Sequence, residues 1–273
     1  MKLSKKFSKR VFFSEEALAS LKKECLFMDM HSHTYVSHDS NTRIKDAVAQ
    51  AKKLGIGFAV TDHVQARGAV EACKQKTVPV IPGIEILSLE NKEIILYFYS
   101  TKDLMEYFQK NVEKYKVVDH APESIIRRSL ISVRCMKPME DLIEKADEYS
   151  CLKTIPHPYA YWNRSSHHLF ERNKSMMKRI NGIEVINSSL RPSMNNKAAV
   201  WALKMNKSFT AGSDAHFARE LGRSYVGAMA DTVPEFLDAV RKKENFIIGN
   251  ELKARDAFRN MMEMNKTKRN KKW

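Results

Sequence analysis

Seven short apolar segments alternate along the chain with longer amphipathic ones, and this alternation restricts the fold more than any other feature. The segments are Leu26–Met30, Gly57–Thr61, Val78–Ile84, Glu93–Tyr99, Leu152–Ile155, Gly182–Ile186 and Ser208–Ala211. Most are β-branched or apolar throughout, as strands buried on both faces must be. Between them lie helix patterns. Asn41 or Thr42 can cap a helix whose buried face runs Ile44, Ala47, Val48, Ala51 and Leu54, with Gly55 as its stop. Lys102–Lys116, Pro138–Tyr149 and Ser193–Met205 behave similarly, and Thr232 with Pro234 opens a further helix before Phe236, Leu237 and Val240. Seven βα units predict either a parallel barrel of the TIM type or a doubly wound sheet.

The polar residues decide between the two. Asp29, His31 and His33 close the first strand, Asp62 and His63 the second, and Glu85 the third. His157 ends the fifth, Glu184 and Asn187 the sixth, and Asp214 with His216 the seventh. In a strand-helix barrel all these C-terminal ends meet on one rim, whereas a doubly wound sheet spreads them along an edge. The barrel is the expected fold.

These end residues are metal donors. The two-residue period of a strand puts His31 and His33 on one face, and the Asp214–His216 pair repeats that geometry with a carboxylate. His63, Glu85 and His157 add donors from three more strand ends. Mixed nitrogen and oxygen donors suit Zn, Mn or Fe rather than dedicated Mg or Ca sites. Seven or more donors exceed the needs of one ion, so two or three divalent ions are expected.

Composition narrows the rest. The 273 residues are 43% hydrophobic with only 9 Gly and 8 Pro, which excludes disordered and collagen-like chains. No apolar run reaches the length that spans a bilayer, so no membrane partner is expected. The four cysteines, at 25, 73, 135 and 151, form no CxxC pair, consistent with reduced thiols and a cytoplasmic setting. A net charge of +15 is concentrated at the ends. The expected organisation is a basic segment 1–24, a barrel domain 25–250 and a basic C-terminal helix or tail 251–273. Such ends can hold nucleic acid electrostatically, or simply solvate the chain.

The segments DMHSHTYVS, AVTDH, IPGIEI, IPHP, GIEVIN and AGSDAH resemble, in order, the successive motifs of the PHP (polymerase and histidinol phosphatase) superfamily. The resemblance implies a distorted seven-stranded (β/α)7 TIM-like barrel and a trinuclear Mn, Fe or Zn centre that hydrolyses phosphoesters. Carried over position by position, it makes His31, His33, His63, Glu85, His157, Asp214 and His216 metal ligands. A further ligand falls at His38 or Asp39, with Asp39 favoured because a carboxylate can bridge ions. One position departs: where many family phosphoesterases carry a fourth-strand histidine, NKEIILYFY places Ile95, which cannot bind metal.

The expected function is metal-dependent hydrolysis of a phosphomonoester or nucleotide by a metal-activated hydroxide. Asp29 and Asp62, each just before a ligand segment, are expected to orient the imidazoles. Arg164 and Arg191, with His167 and His168 on the same loop as Arg164, are the candidates for meeting the substrate phosphate. Tyr159, Tyr161 and Trp162 offer an aromatic platform for a base or sugar. Two alternatives stand beside this one. A nuclease that removes nucleotides from nucleic acid ends suits the basic termini, and a degenerate metal-binding barrel without turnover suits Ile95.

Overall fold

The computed structural model describes residues 11–12, 24–120, 131–161, 164–249, 262–264 and 266–267. In its first half, β1 (Val11–Phe12) and β2 (Leu26–Asp29) precede α1 (Ile44–Leu54), β3 (Gly57–Val60), α2 (Arg67–Cys73), β4 (Val80–Leu87), β5 (Glu93–Phe98) and α3 (Thr101–Asn111). A hairpin of β6 (Lys116–His120) and β7 (Ile131–Cys135) follows, then α4 (Met139–Ala146), β8 (Cys151–Ile155), α5 (His167–Arg172) and α6 (Lys174–Arg179). The last part holds β9 (Gly182–Asn187), α7 (Pro192–Lys204), β10 (Ser208–Gly212), β11 (Ser224–Ala228), α8 (Val233–Lys242) and β12 (Asn245–Gly249).

One sheet runs in the order β1-β12-β11-β2-β3-β4-β5-β8-β9-β10. It curls back on itself because the chain beyond β2 pairs with β10 and its extension. The Met30 amide donates to the Ala211 carbonyl at 3.2 Å, and the Asp214 amide donates to His31 at 2.8 Å. Ser32 and Ala215 form a parallel bridge there. Strands β2, β3, β4, β5, β8, β9 and β10 therefore make the barrel, and all seven sequence candidates lie in it. Strands β12 and β11 extend the sheet, β11 antiparallel to β2, and neither was expected from the sequence.

β5 corrects the expectation of seven βα units. It runs antiparallel to both β4 and β8, so β4 and β5 form a hairpin across Ser88–Lys92. Parallel strands need a crossover of a dozen or more residues, and this connection is far shorter. The reversal brings the start of β5, Glu93, to the rim where the other strands end. Ile95 pairs across the ladder with Glu85 and is fully buried.

Helix α1 ends as expected at Gly55, which adopts a left-handed φ of 67°. Its start differs, because Arg43 is the N-cap and accepts no side-chain capping bond. Thr42 instead donates its hydroxyl to the His216 carbonyl at 2.9 Å, which serves the site rather than the helix. Helix α8 has the capping box that Thr232 promised, with Glu235 Oε2 accepting from the Thr232 amide at 3.2 Å. Its Phe236 and Leu237 are fully buried, each contributing about 1.5–3 kcal/mol. The four cysteines form no disulfide. No helix among the described residues is long and apolar enough to cross a membrane.

Most of the expected basic ends, 1–24 and 251–273, lies outside the described residues. Two C-terminal residues touch the barrel: Glu263 pairs with Arg219 at 2.7 Å, and Thr267 accepts from Asn41 at 2.9 Å.

Candidate metal centre

The rim carries one buried cluster. His31 and His33 lie just past β2, and their Nε2 atoms are 3.2 Å apart. Asp214 Oδ1 is 3.2 Å from His33 Nε2 and 3.6 Å from His31 Nε2. Glu85, from β4, places Oε2 3.1 Å from His63 Nδ1, 3.4 Å from His31 Nε2 and 3.5 Å from His33 Nε2. Its other oxygen lies 3.1 Å from His157 Nε2. Asp39 Oδ2 stands between His63 and His216, 3.4 Å from the Nε2 of each, and 3.6 Å from His38. All eight expected ligands are thus brought together, and His38 adjoins them.

Three of the ligand segments hold backbone in the left-handed region that side chains avoid. Asp214 has φ 53°, His157 has φ 27° and Val64, next to His63, has φ 50°. Such conformations cost about 1–3 kcal/mol each and persist where surrounding bonds enforce them. Here the Asp214 amide is held by His31 O, the Val64 amide by Glu85 O at 2.8 Å, and the His157 amide by Glu184 Oε2 at 2.8 Å.

Charge balance shows that the donors fit divalent cations. Burial opposes ionisation throughout, yet His31, His33 and His216 hold Asp214 well below the usual carboxylate range. Glu85 and Asp39 are lowered by their imidazole neighbours in the same way. In turn, Glu184, Asp214 and Glu85 raise His31 against the burial penalty, and Asp39 raises His216 to about 9. His63 and His157 also rise against burial, each driven by its carboxylate neighbours. His33 is the exception. Burial, with His216 and His63 adding to it, pushes its ring down to about 3. Without metal, protons on imidazoles supply the positive charge that the carboxylates require. A divalent ion supplies the same charge and also satisfies cluster-facing atoms that hydrogen bonds leave alone: Glu85 Oε2 and His216 Nε2 are buried without a hydrogen-bond partner. Donor triads that close on one point are His33–His63–His216, His31–His33–Asp214, His31–Glu85–His157 and His63–Glu85–Glu93.

The supporting carboxylates differ from expectation. Asp29 braces backbone, not a ring. It accepts from the amides of His31 (3.2 Å), Ser213 (2.9 Å) and Gly222 (2.8 Å) and from the Ser213 hydroxyl. Burial raises its pKa to about 6 despite these bonds. Asp62 takes the Thr34 amide at 2.6 Å and its hydroxyl at 2.7 Å, fixing the chain just after His33. The residue that orients a ring is Glu184, whose Oε1 lies 2.9 Å from His31 Nδ1. Its place at a strand end was visible in the sequence, but not its partner.

The candidate phosphate residues separate. Arg164 reaches the site, where its guanidinium pairs with both oxygens of Glu93, and Glu93 Oε2 is 3.6 Å from His157 Nε2. Arg191 caps α7 and lies over the Tyr161 ring, 5.7 Å from its centroid. His167 stacks on Tyr159 with centroids 4.2 Å apart and bonds to Ser165 at 2.8 Å, so it packs its loop. His168 is exposed, 4.0 Å from Glu171. Trp162 lies outside the described residues. Glu93 is the site residue that sequence reasoning missed. Read as the start of an outward-running strand, it belonged at the opposite end of the barrel.

Comparison with known proteins agrees with this fold. No curated protein matches the chain. Among solved structures, a two-domain Bacteroides vulgatus protein described as containing a predicted PHP-like metal-dependent phosphoesterase aligns at 17% identity with a TM-score of 0.57. That alignment covers 88% of this chain and 70% of the other. The lesion-specific endonuclease PfuEndoQ from Pyrococcus furiosus aligns at 17% identity with a TM-score of 0.60, over 82% of this chain and 57% of its own. Endonuclease Q in complex with a 27-mer duplex carrying an abasic lesion aligns at 18% identity and a TM-score of 0.61, over 83% and 60%. This chain therefore spans less than two thirds of the endonuclease's length, and at these identities the likeness shows the fold. The PHP-associated family matches residues 192–245, and the PHP domain family matches residues 29–187. With more than half of its length matched by that domain, the chain belongs to the PHP family.

Proposed function

We propose that this chain hydrolyses phosphoesters of a small phosphorylated substrate or nucleotide, with two or three divalent ions, Mn, Fe or Zn, held at the barrel rim. The observation that carries this reading is the convergence of His31, His33, His63, His157 and His216 with Asp39, Glu85 and Asp214 in one buried cluster. His31, His33, Glu85 and Asp214 would hold one ion, and His63, His216 and Asp39 another. When bound, the ions neutralise phosphate oxygens and make water nucleophilic near neutral pH.

The chain's own residues do the positioning. Glu184 fixes the His31 ring, Asp29 and Asp62 hold the backbone on either side of the His31–His33 pair, and Ser37 donates to Asp39 Oδ1 at 2.9 Å. The Asp214 side chain, 18% exposed, marks where the cluster opens to solvent, so substrate enters on that side. Arg164, over half exposed, stands at the mouth with N–H groups to spare for phosphate oxygens.

A nuclease acting on nucleic acid ends is the second reading. The likeness to Endonuclease Q and the net charge of +15 favour it. The experiment is phosphate release with added Mn²⁺ across monoesters, nucleotides and short oligonucleotides. A preference for oligonucleotides that falls steeply with salt selects the nuclease.

A further inference from the structure

We propose that the Arg164 guanidinium stands in for a third metal ion, so that this centre holds two divalent ions and one fixed organic cation. The inference rests on the metal-dependent reading above and follows from the inward face of β5. Three residues of that strand share the face of Glu85: Glu93, Ile95 and Tyr97. Ile95, directly opposite Glu85, offers no donor atom. Tyr97 donates its hydroxyl to the Met30 carbonyl at 2.7 Å. Glu93, 2% exposed, is engaged through both oxygens, Oε2 with Arg164 Nε at 3.1 Å and Oε1 with Nη2. Glu93 is thus the one donor that this face of the strand offers beside His157, and its charge is already balanced by Arg164.

The positive charge missing from that position is the one Arg164 brings. Glu93 Oε2 lies 3.6 Å from His157 Nε2, and Glu93 shares a donor triad with His63 and Glu85, so the guanidinium charge adjoins the cluster. A guanidinium keeps its charge at every working pH and presents five N–H donors in a plane. Two are spent on Glu93, and the rest can meet a phosphate oxygen that an ion would otherwise hold. Unlike a metal, this cation cannot be removed by a chelator. Ile95 and Arg164 are on this account complementary: β5 lacks a ligand at Ile95, and the loop after β8 supplies the charge through Arg164.

The test counts metal and measures phosphate binding separately from turnover, using the full chain. Mn²⁺ per chain after equilibrium dialysis should be two for the wild type. Arg164→Met should keep two ions while inorganic phosphate affinity falls about tenfold or more, and Arg164→Lys should fall less. Ile95→His with Arg164→Met should bind a third ion and recover phosphate affinity, with circular dichroism showing that each variant is folded. Three ions in the wild type, or unchanged phosphate binding in Arg164→Met, overturns the proposal. So does a folded double variant that still holds two ions. A wild type with three ions that hydrolyses phosphoesters leaves the functional reading intact, whereas a chain that binds no Mn²⁺ overturns both.

Discussion

Replacing Gly212 by alanine would show whether closure of the barrel and assembly of the metal cluster are one event. A Cβ at this position would lie 2.3 Å from the Cβ of His31, 2.6 Å from its amide nitrogen and 2.9 Å from its Cα. Carbon pairs settle at about 3.5–4.0 Å, so β10 and the chain beyond β2 would have to part by about 1 Å. The obstacle is mainly backbone, which no rotamer change relieves. Parting stretches the Met30–Ala211 and Asp214–His31 bonds that close the barrel, now 3.2 and 2.8 Å. Two bonds at about 0.5–1.5 kcal/mol each, with overpacking of about 1–3 kcal/mol, give a loss of about 2–6 kcal/mol. For a chain of this size the melting temperature should fall by roughly 10 °C. The same movement separates His31 and His33 from Asp214, so Mn²⁺ affinity should drop with stability. Gly182→Ala is the control, because the nearest atoms there are Thr154 Oγ1 at 3.0 Å and Thr210 Cγ2 at 3.3 Å, which need give by only a few tenths of an ångström. The assay is thermal unfolding of both variants with and without Mn²⁺. A Gly212→Ala chain that melts within about 2 °C of wild type and binds Mn²⁺ equally well would refute the reasoning.

Other predictions are more local. Glu184→Gln should weaken Mn²⁺ binding about 10–100-fold, because His31 loses its orienting carboxylate, while the fold survives; a dialysis isotherm checks this. Metal affinity should rise with pH. His216 keeps its proton to about 9 in the metal-free chain, and His63 and His157 are also raised, so a metal must displace protons below that range. Calorimetry at pH 6, 7, 8 and 9, in buffers of different ionisation enthalpy, should find proton release that shrinks towards pH 9; a flat profile contradicts the assignment. His167→Ala should lower stability by about 1 kcal/mol through the lost stack on Tyr159, and leave turnover unchanged.

How far the sequence discloses this molecule depends on what kind of signal each feature leaves. Apolar runs mark buried strands, and all seven barrel strands were legible that way. Such runs carry no direction, so the reversal of β5 was invisible in its composition. The five-residue connection from Leu87 to Glu93 was the available signal, since it is too short for a parallel crossover. Missing it misplaced Glu93. The eight ligands were legible because strand ends on one rim converge whatever the loops do. Their supports were not. Whether Asp29 braces a backbone or a ring depends on Ser213 and Gly222, more than 180 residues away. Thr42 likewise looks like a helix cap in sequence and serves His216 in space. Arg164 lay on a loop whose path no periodicity fixes, so its partner Glu93 emerged only with the fold.

The central claim is that this rim is a working hydrolytic metal site, and the most direct test is Mn²⁺-dependent phosphate release by the wild type beside Asp214→Ala. Asp214 is the cluster's solvent-facing carboxylate, 3.2 Å from His33, and its loss should remove release by at least about 100-fold while circular dichroism shows an intact barrel. A folded Asp214→Ala chain that releases phosphate at the wild-type rate would contradict the account.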